Sequence, residues 1–162
     1  MIGDAFLVLK QRFPNIKVAF AGYGELEPLF SNGRFAKQNS GFEFFGKIDH
    51  EKVFELLHQS RFFVSLAPNE AFGIAIAEAV ASGCNVITNI TAGISELLYD
   101  KPFFHCTRAL DFQSLAYDLE ILMKNYYPIS NNEMNAFLNY MSCTRMAREY
   151  KEFALEGEKL NG

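Results

Sequence analysis

A chain of 162 residues with 49% hydrophobic and 21% charged residues has room for one domain with a full core, which excludes wholesale disorder. Its formal charge of -4 and pI near 5.4 exclude a strongly basic nucleic-acid binder. Cys84, Cys106 and Cys143 stand far apart without a Cys-x-x-Cys, and His50, His58 and His105 lack His-Glu-x-x-His spacing, so neither a disulfide framework nor a zinc site is written here.

Apolar residues at helical spacing (Ile2, Ala5, Phe6, Leu9, Phe13) predict a helix over 2–13 that stops at Pro14. A strand follows over 16–21, ending at Gly22-Tyr23-Gly24, and then a helical turn over 25–30 and a break at 31–33. Residues 42–45 read as a strand closed by Gly46. Residues 49–59 read as an amphipathic helix with Asp49 as N-cap. A strand over 61–66, a nearly all-apolar helix over 72–81, a strand over 85–88, a short helix over 94–98 and a strand over 102–105 come next. Beyond residue 110 only helices are predicted, over 112–125, 131–141 and 144–156. Short apolar strands alternating with helices imply an α/β, Rossmann-like, doubly wound parallel sheet with a helical C-terminal tail over 111–162, all in a single domain over 1–162. The best apolar run, 71–87, is broken by Glu78, Ser82 and Asn85 and does not reach a membrane span. The three scattered cysteines make a reduced cytoplasmic setting the expectation.

The densest chemistry lies between residues 65 and 97. A strand ends near Leu66, Pro68 and Asn69 break it, and a helix begins near Phe72, at the carboxyl edge where open α/β sheets bind ligands. The amides of Phe72, Gly73 and Ile74 would carry the positive end of the helix dipole, and Gly73 would let a phosphate or sugar hydroxyl approach the backbone. Glu78 has Ile74, Ala75, Ile76, Ala77, Ala79, Val80 and Ala81 around it, so the helix is expected to be buried all round. An unpaired carboxylate there would cost several kcal/mol, so it needs a partner, either a backbone amide or Arg of the protein or the vicinal hydroxyls of a ligand. Glu70 would stand about 10–12 Å from Glu78, too far for a glycosidase pair and suited to two contacts on one elongated ligand. Taken alone, Glu70 reads first as a surface loop carboxylate near a helix start.

Weaker signals flank this segment. Gly22-Tyr23-Gly24 is not a dinucleotide fingerprint, because Glu27 stands where the third glycine belongs; it reads either as a tight turn or as a close ligand approach. Lys47 and Ile48, after Gly46, could offer backbone groups to a flat ring. Ala92-Gly93-Ile94-Ser95-Glu96 gives a second glycine turn, and the histidines read as ordinary.

Together the segments resemble the C-terminal, donor-binding domain of the GT-B glycosyltransferases, of the GT4-type retaining group. The resemblance rests on Phe13-Pro14-Asn15-Ile16-Lys17 before Gly22-x-Gly24, on Phe42 to Gly46, on Glu70-x7-Glu78 with Phe72-Gly73, and on Ala81-Ser82-Gly83, Val86-Ile87 and 92–96. It covers residues 2–105 well and the tail more loosely. It implies that Glu70 binds hydroxyls of the donor sugar as the catalytic carboxylate, and that Glu78 binds the ribose. The amides around Phe72, Gly73 and Ile74 would hold the diphosphate or sugar, and Gly22, Gly24, Lys47 and Ile48 would complete the donor site. The donor would be a UDP- or GDP-linked sugar, with no metal and no other cofactor.

Family members also carry, upstream of such a first helix, a strand and an Arg and a Lys that neutralise the diphosphate, and an acceptor-binding N-terminal half. Neither lies in this chain, so a fragment, a split gene product or a domain whose strands close up is expected. Transfer by the chain alone is then expected to be weak or absent. The implied partners are the donor and the missing half, in cis or trans, with membrane contact only through that half and no nucleic acid. A non-catalytic nucleotide-sugar-binding module is the alternative. A flavodoxin-like or receiver domain would need a phosphate loop or an acidic cluster that the sequence lacks.

Overall fold

The computed structural model describes residues 1–25, 27, 28, 35, 41–67, 73–89, 93 and 98–160, with the side chains of 153–160 left aside. Two compact units divide the chain, Met1–Pro128 and Ile129–Gly162. In the first, helix α1 (Ile2–Arg12) leads into strand β1 (Val18–Ala21) and strand β2 (Phe42–Gly46). Helix α2 (His50–His58), strand β3 (Phe62–Ser65), helix α3 (Ile74–Ala81) and strand β4 (Asn85–Asn89) follow. Strand β5 (Phe104–Thr107) and helix α4 (Phe112–Lys124) complete it.

Among the described residues the strand–helix alternation is the one the periodicity predicts, with ends moved by up to four residues; the helices expected over 25–30 and 94–98 fall mostly outside the described residues. Residue 16 is drawn out of β1 because its amide donates to Phe13 O at 3.0 Å, closing a turn. The last strand starts two residues late because Lys101 N–H donates to Leu98 O and Phe104 N–H to Lys101 O, so 101–103 turn before they extend. Asp49 caps α2 as expected, accepting from Lys52 N–H at 2.8 Å.

All described pairings are parallel, but they form two sheets. β1 pairs with β2 from Val18↔Phe42 to Ala21↔Gly46, and β3-β4-β5 pair in that order. Among the described residues no ladder joins β1 to β3, so these strands do not close up. β4, with a neighbour on each side, is buried from Asn85 to Thr88, whereas every residue of β3 is half-buried.

One helix spans both sheets. Phe6 of α1 meets the Phe42 ring edge-on at 4.6 Å between centroids, and Phe35 tilts onto the same ring at 4.9 Å. Ala5 and Leu9 of the same helix join Ile87 of β4 and Leu115, Ala116, Leu119 and Leu122 of α4 in one buried cluster. Spacing of three to four residues puts Ala5, Leu9 and their neighbours on one stripe, so α1 can serve both sheets from one face. Arg12 adds an ion pair to Glu120 of α4, which also accepts from Lys124 at 2.8 Å. The Lys124 hydrogen bond, with Arg12 behind it, holds the Glu120 carboxyl below its ordinary range.

Two buried polar groups tie elements together. Cys84, before β4, directs its thiol at Leu57 O (3.2 Å) and Ser60 O (3.3 Å), carbonyls at the end of α2, and burial pushes its pKa up to about 11. Asn85, fully buried at the start of β4, donates from Nδ2 to Tyr127 O (2.6 Å) and accepts from Tyr127 N–H (3.1 Å).

The second unit holds helix α5 (Asn131–Tyr140), opened by a Ser130–Glu133 capping box, and helix α6 (Cys143–Leu160). Arg145 lies over the Tyr140 ring at 3.8 Å and pairs with Glu149 at 2.6 Å. Among the described residues no helix is long and apolar enough to cross a membrane.

Asn85 gives a direct stability test. Asn85→Ala strands both backbone groups of Tyr127 and is expected to lower unfolding free energy by about 2–4 kcal/mol in urea titration. Asn85→Asp should recover little of that loss, since a buried carboxylate cannot donate to Tyr127 O.

Candidate functional site

The carboxyl ends of β1 and β2 are drawn together by one backbone bond, Gly22 N–H to Gly46 O at 2.8 Å. Gly22 has φ +129° and Gly46 φ +62°, values that L side chains rarely adopt, so both turns depend on glycine. A side chain at Gly22 or Gly24 would meet nothing within 4 Å; these glycines face open space. Beside them the Lys47 ammonium lies 5.6 Å from the Tyr23 ring centroid, and Ile48 is half-buried under the start of α2. The structure thus brings Gly22, Gly24 and Lys47 to one place at the carboxyl edge.

The second part of the site is α3. Gly73 is its N-cap, with φ 88° and ψ 47°, and a glycine supplies no side-chain acceptor for the first-turn amides. Gly73 O accepts from Ala77 N–H at 3.0 Å, which starts the helix at Ile74. Gly73 is buried, while Ile74 is 65% exposed at the head of the helix. Backbone amides in this position present partial positive charge to an anion.

The expectation that α3 is buried all round is wrong. It buries the stripe Ile76, Ala79 and Val80 against β3, β4 and α2, and leaves Ile74 and Ala75 exposed. Apolar residues at every position erase the contrast that would give the stripe its phase, so the sequence overstates the burial. Glu78 is accordingly half-buried, with 21% of its side chain exposed. Its Oε1 lies 3.6 Å from Nε2 of His50, the first residue of α2. That is an ion-pair separation and longer than a hydrogen bond. The carboxylate therefore retains acceptor capacity that the polypeptide leaves unfilled among the described residues.

His50 is the residue the sequence reading passed over as ordinary. Its partner lies 28 positions away on the next helix, at no local spacing. The available signal was topological: both α2 and α3 follow directly on strands, so both begin at the same edge. Glu70, Phe72 and residues 94–97 lie outside the described residues. Among the described residues no three His, Cys, Asp or Glu side chains gather as metal ligands. A cleft of about 310 Å³ lies between α1 and α4, lined by Val8, Arg12, Gln113, Tyr117 and Glu120, and shares no residue with the loops after β1, β2 or β3.

Residues 2–139 match the family of glycosyl transferases group 1. The chain belongs to that family. It is similar to a phosphatidyl-myo-inositol mannosyltransferase of Mycobacterium tuberculosis, 24% identical over 170 residues, which covers 97% of this chain and 44% of that protein. Its fold is similar to that of sucrose-phosphate synthase from Thermosynechococcus elongatus, with a TM-score of 0.69 at 16% identity, covering 94% of this chain and 42% of that one. A pneumococcal O-GlcNAc transferase solved with UDP and GlcNAc gives a TM-score of 0.67 at 15% identity, covering 95% and 32%. The α/β, Rossmann-like class read from the alternation of elements is therefore the observed one. This glycosyltransferase group 1 chain spans less than half the length of these relatives.

The left-handed N-cap can be tested against a neutral control. Gly73→Ala is expected to cost about 1–2 kcal/mol of stability, the penalty of a side chain in that conformation. Gly24→Ala, which faces open space, should stay within about 0.5 kcal/mol of the parent in the same urea titrations.

Proposed function

We propose that this chain is the nucleotide-sugar-binding half of a retaining, GT4-type glycosyltransferase, corresponding to the C-terminal half of a GT-B enzyme. In this reading it acts with an acceptor-binding half supplied in cis or trans. The observation that carries the reading is the half-buried Glu78 carboxylate with open acceptor sites, in the second turn of a helix whose amino end is capped by a glycine. A carboxylate accepts from both hydroxyls of a vicinal diol, which is what a ribose offers. The amides at Gly73 and Ile74, with those near Phe72, bind the diphosphate. The turn at Gly22 and Gly24 and the backbone of Lys47 and Ile48 receive the base. Glu70 meets the donor sugar as the catalytic carboxylate, and the donor is UDP- or GDP-linked.

Chemistry follows from where charge develops. The bond from the anomeric carbon to the diphosphate breaks, the sugar passes through an oxocarbenium-like state, and an acceptor hydroxyl bonds on the same face while its proton passes to the departing diphosphate oxygen. Helix-end amides stabilise the departing diphosphate without moving, so their contribution is electrostatic. No metal is required by this scheme, and the compartment we propose is the cytoplasm.

The alternative is a non-catalytic module that binds the nucleotide sugar as a partner subunit. Sugar transfer that appears only on co-expression with an acceptor-binding half would select the enzyme reading.

Binding itself is the first test. UDP or GDP is expected to bind the chain in calorimetric titration and to raise its melting temperature. Glu78→Ala should weaken that binding about 10- to 100-fold, the loss of hydrogen bonds to a charged acceptor. Absence of binding by either nucleotide, or a Glu78→Ala chain that binds as the parent does, overturns the reading.

A further inference from the structure

We infer that His50 is a positioning residue for Glu78, holding its carboxylate toward the ribose hydroxyls of a bound nucleotide. The inference rests on the nucleotide reading of Glu78 given above and adds a residue that reading does not use.

Glu78 has three rotatable side-chain bonds, and its own helix offers little to fix them. The residues three and four positions away are Ala75, Ile74, Ala81 and Ser82, and Ser82 donates its backbone N–H to Glu78 O, which leaves the carboxylate uninvolved. Orientation must come from another element. His50 supplies it from α2, its Nε2 3.6 Å from Glu78 Oε1. The imidazole is itself restrained: it stacks on Phe54, one helical turn along, with centroids 5.6 Å apart and planes inclined by 19°. The backbone beneath it is fixed by the Asp49 cap.

The neighbouring charges have other engagements. Asp49 accepts from Lys52 N–H, Lys52 Nζ pairs with Glu55 at 2.6 Å, His58 Nδ1 lies 2.7 Å from Phe54 O, and Lys47 lies over Tyr23. Glu78 is the one charged residue in the α3 sequence.

Geometry leaves space for both partners. A carboxylate has about four lone-pair sites, and an imidazole N–H on Oε1 occupies one of them. The others remain for the two ribose hydroxyls. Active-site contacts that are long without ligand commonly tighten in the complex, as this one would when the hydroxyls fix the carboxylate plane. With 72% of its side chain exposed, His50 does little for the core, so its removal should leave the fold intact.

A ligand cycle separates positioning from general structural or charge effects. UDP and GDP, each with its 2′,3′-dideoxy counterpart, are titrated into the parent chain and into His50→Ala, His50→Gln, Glu78→Ala and the Ala–Ala double variant. His50→Ala should weaken the ribonucleotide about fivefold and leave the dideoxy form unchanged, a coupling typical of residues in one network. His50→Gln, which keeps a donor, should recover most of the loss, and His50→Ala should add nothing once Glu78 is alanine. Equal loss for both ligands, or no loss for either, overturns the role of His50 while the Glu78 reading stands if Glu78→Ala still erases the ribose preference. Absence of any ribose preference in the parent chain overturns both.

Discussion

The first unit depends on α1 serving two sheets at once. Phe6 packs on the ring of Phe42 in one sheet, while Ala5 and Leu9 bury against Ile87 and the apolar stripe of α4 in the other. With no ladder between β1 and β3, this side-chain packing does work that strand hydrogen bonds do in a continuous sheet. Packing of this kind tolerates small changes in spacing but not loss of volume, because a buried void forfeits contacts on every side.

The site inherits its layout from that arrangement. Parallel strands finish at the same edge, and each is followed by a turn that must reverse the chain into a helix. The turns after β1 and β2 meet through Gly22 and Gly46; the helices after β2 and β3 meet through His50 and Glu78. Loop and helix starts far apart in sequence are thereby paired along this edge. Backbone amides, an exposed aromatic ring at Tyr23 and the acidic side chain of Glu78 are what these starts present.

Much of this could be read from the sequence because the strands are short, apolar and punctuated. Gly46 closes β2, Asp49 caps α2, and Ser82-Gly83 ends α3 where the residues say they should. Illegible features share a cause: they are set by neighbours, not by local pattern. The phase of α3 is lost in a run without polar contrast, the turn at 101–103 is fixed by carbonyls it meets, and the His50–Glu78 approach joins two elements whose spacing in the chain carries no period. The two-sheet pairing leaves no sign in composition or periodicity, because it is set by which strands meet and not by any local pattern.

Cys84 has a consequence for how motion in this molecule can be followed. Its sulfur is fully enclosed, its proton is shared with carbonyls at the end of α2, and its thiolate is suppressed at neutral pH. Alkylating reagents reach Cys143, on the outside of the second unit, without delay. They reach Cys84 only after α2 has parted from the segment entering β4. The rate at which that sulfur is trapped is therefore a natural clock for breathing of the helix that carries His50.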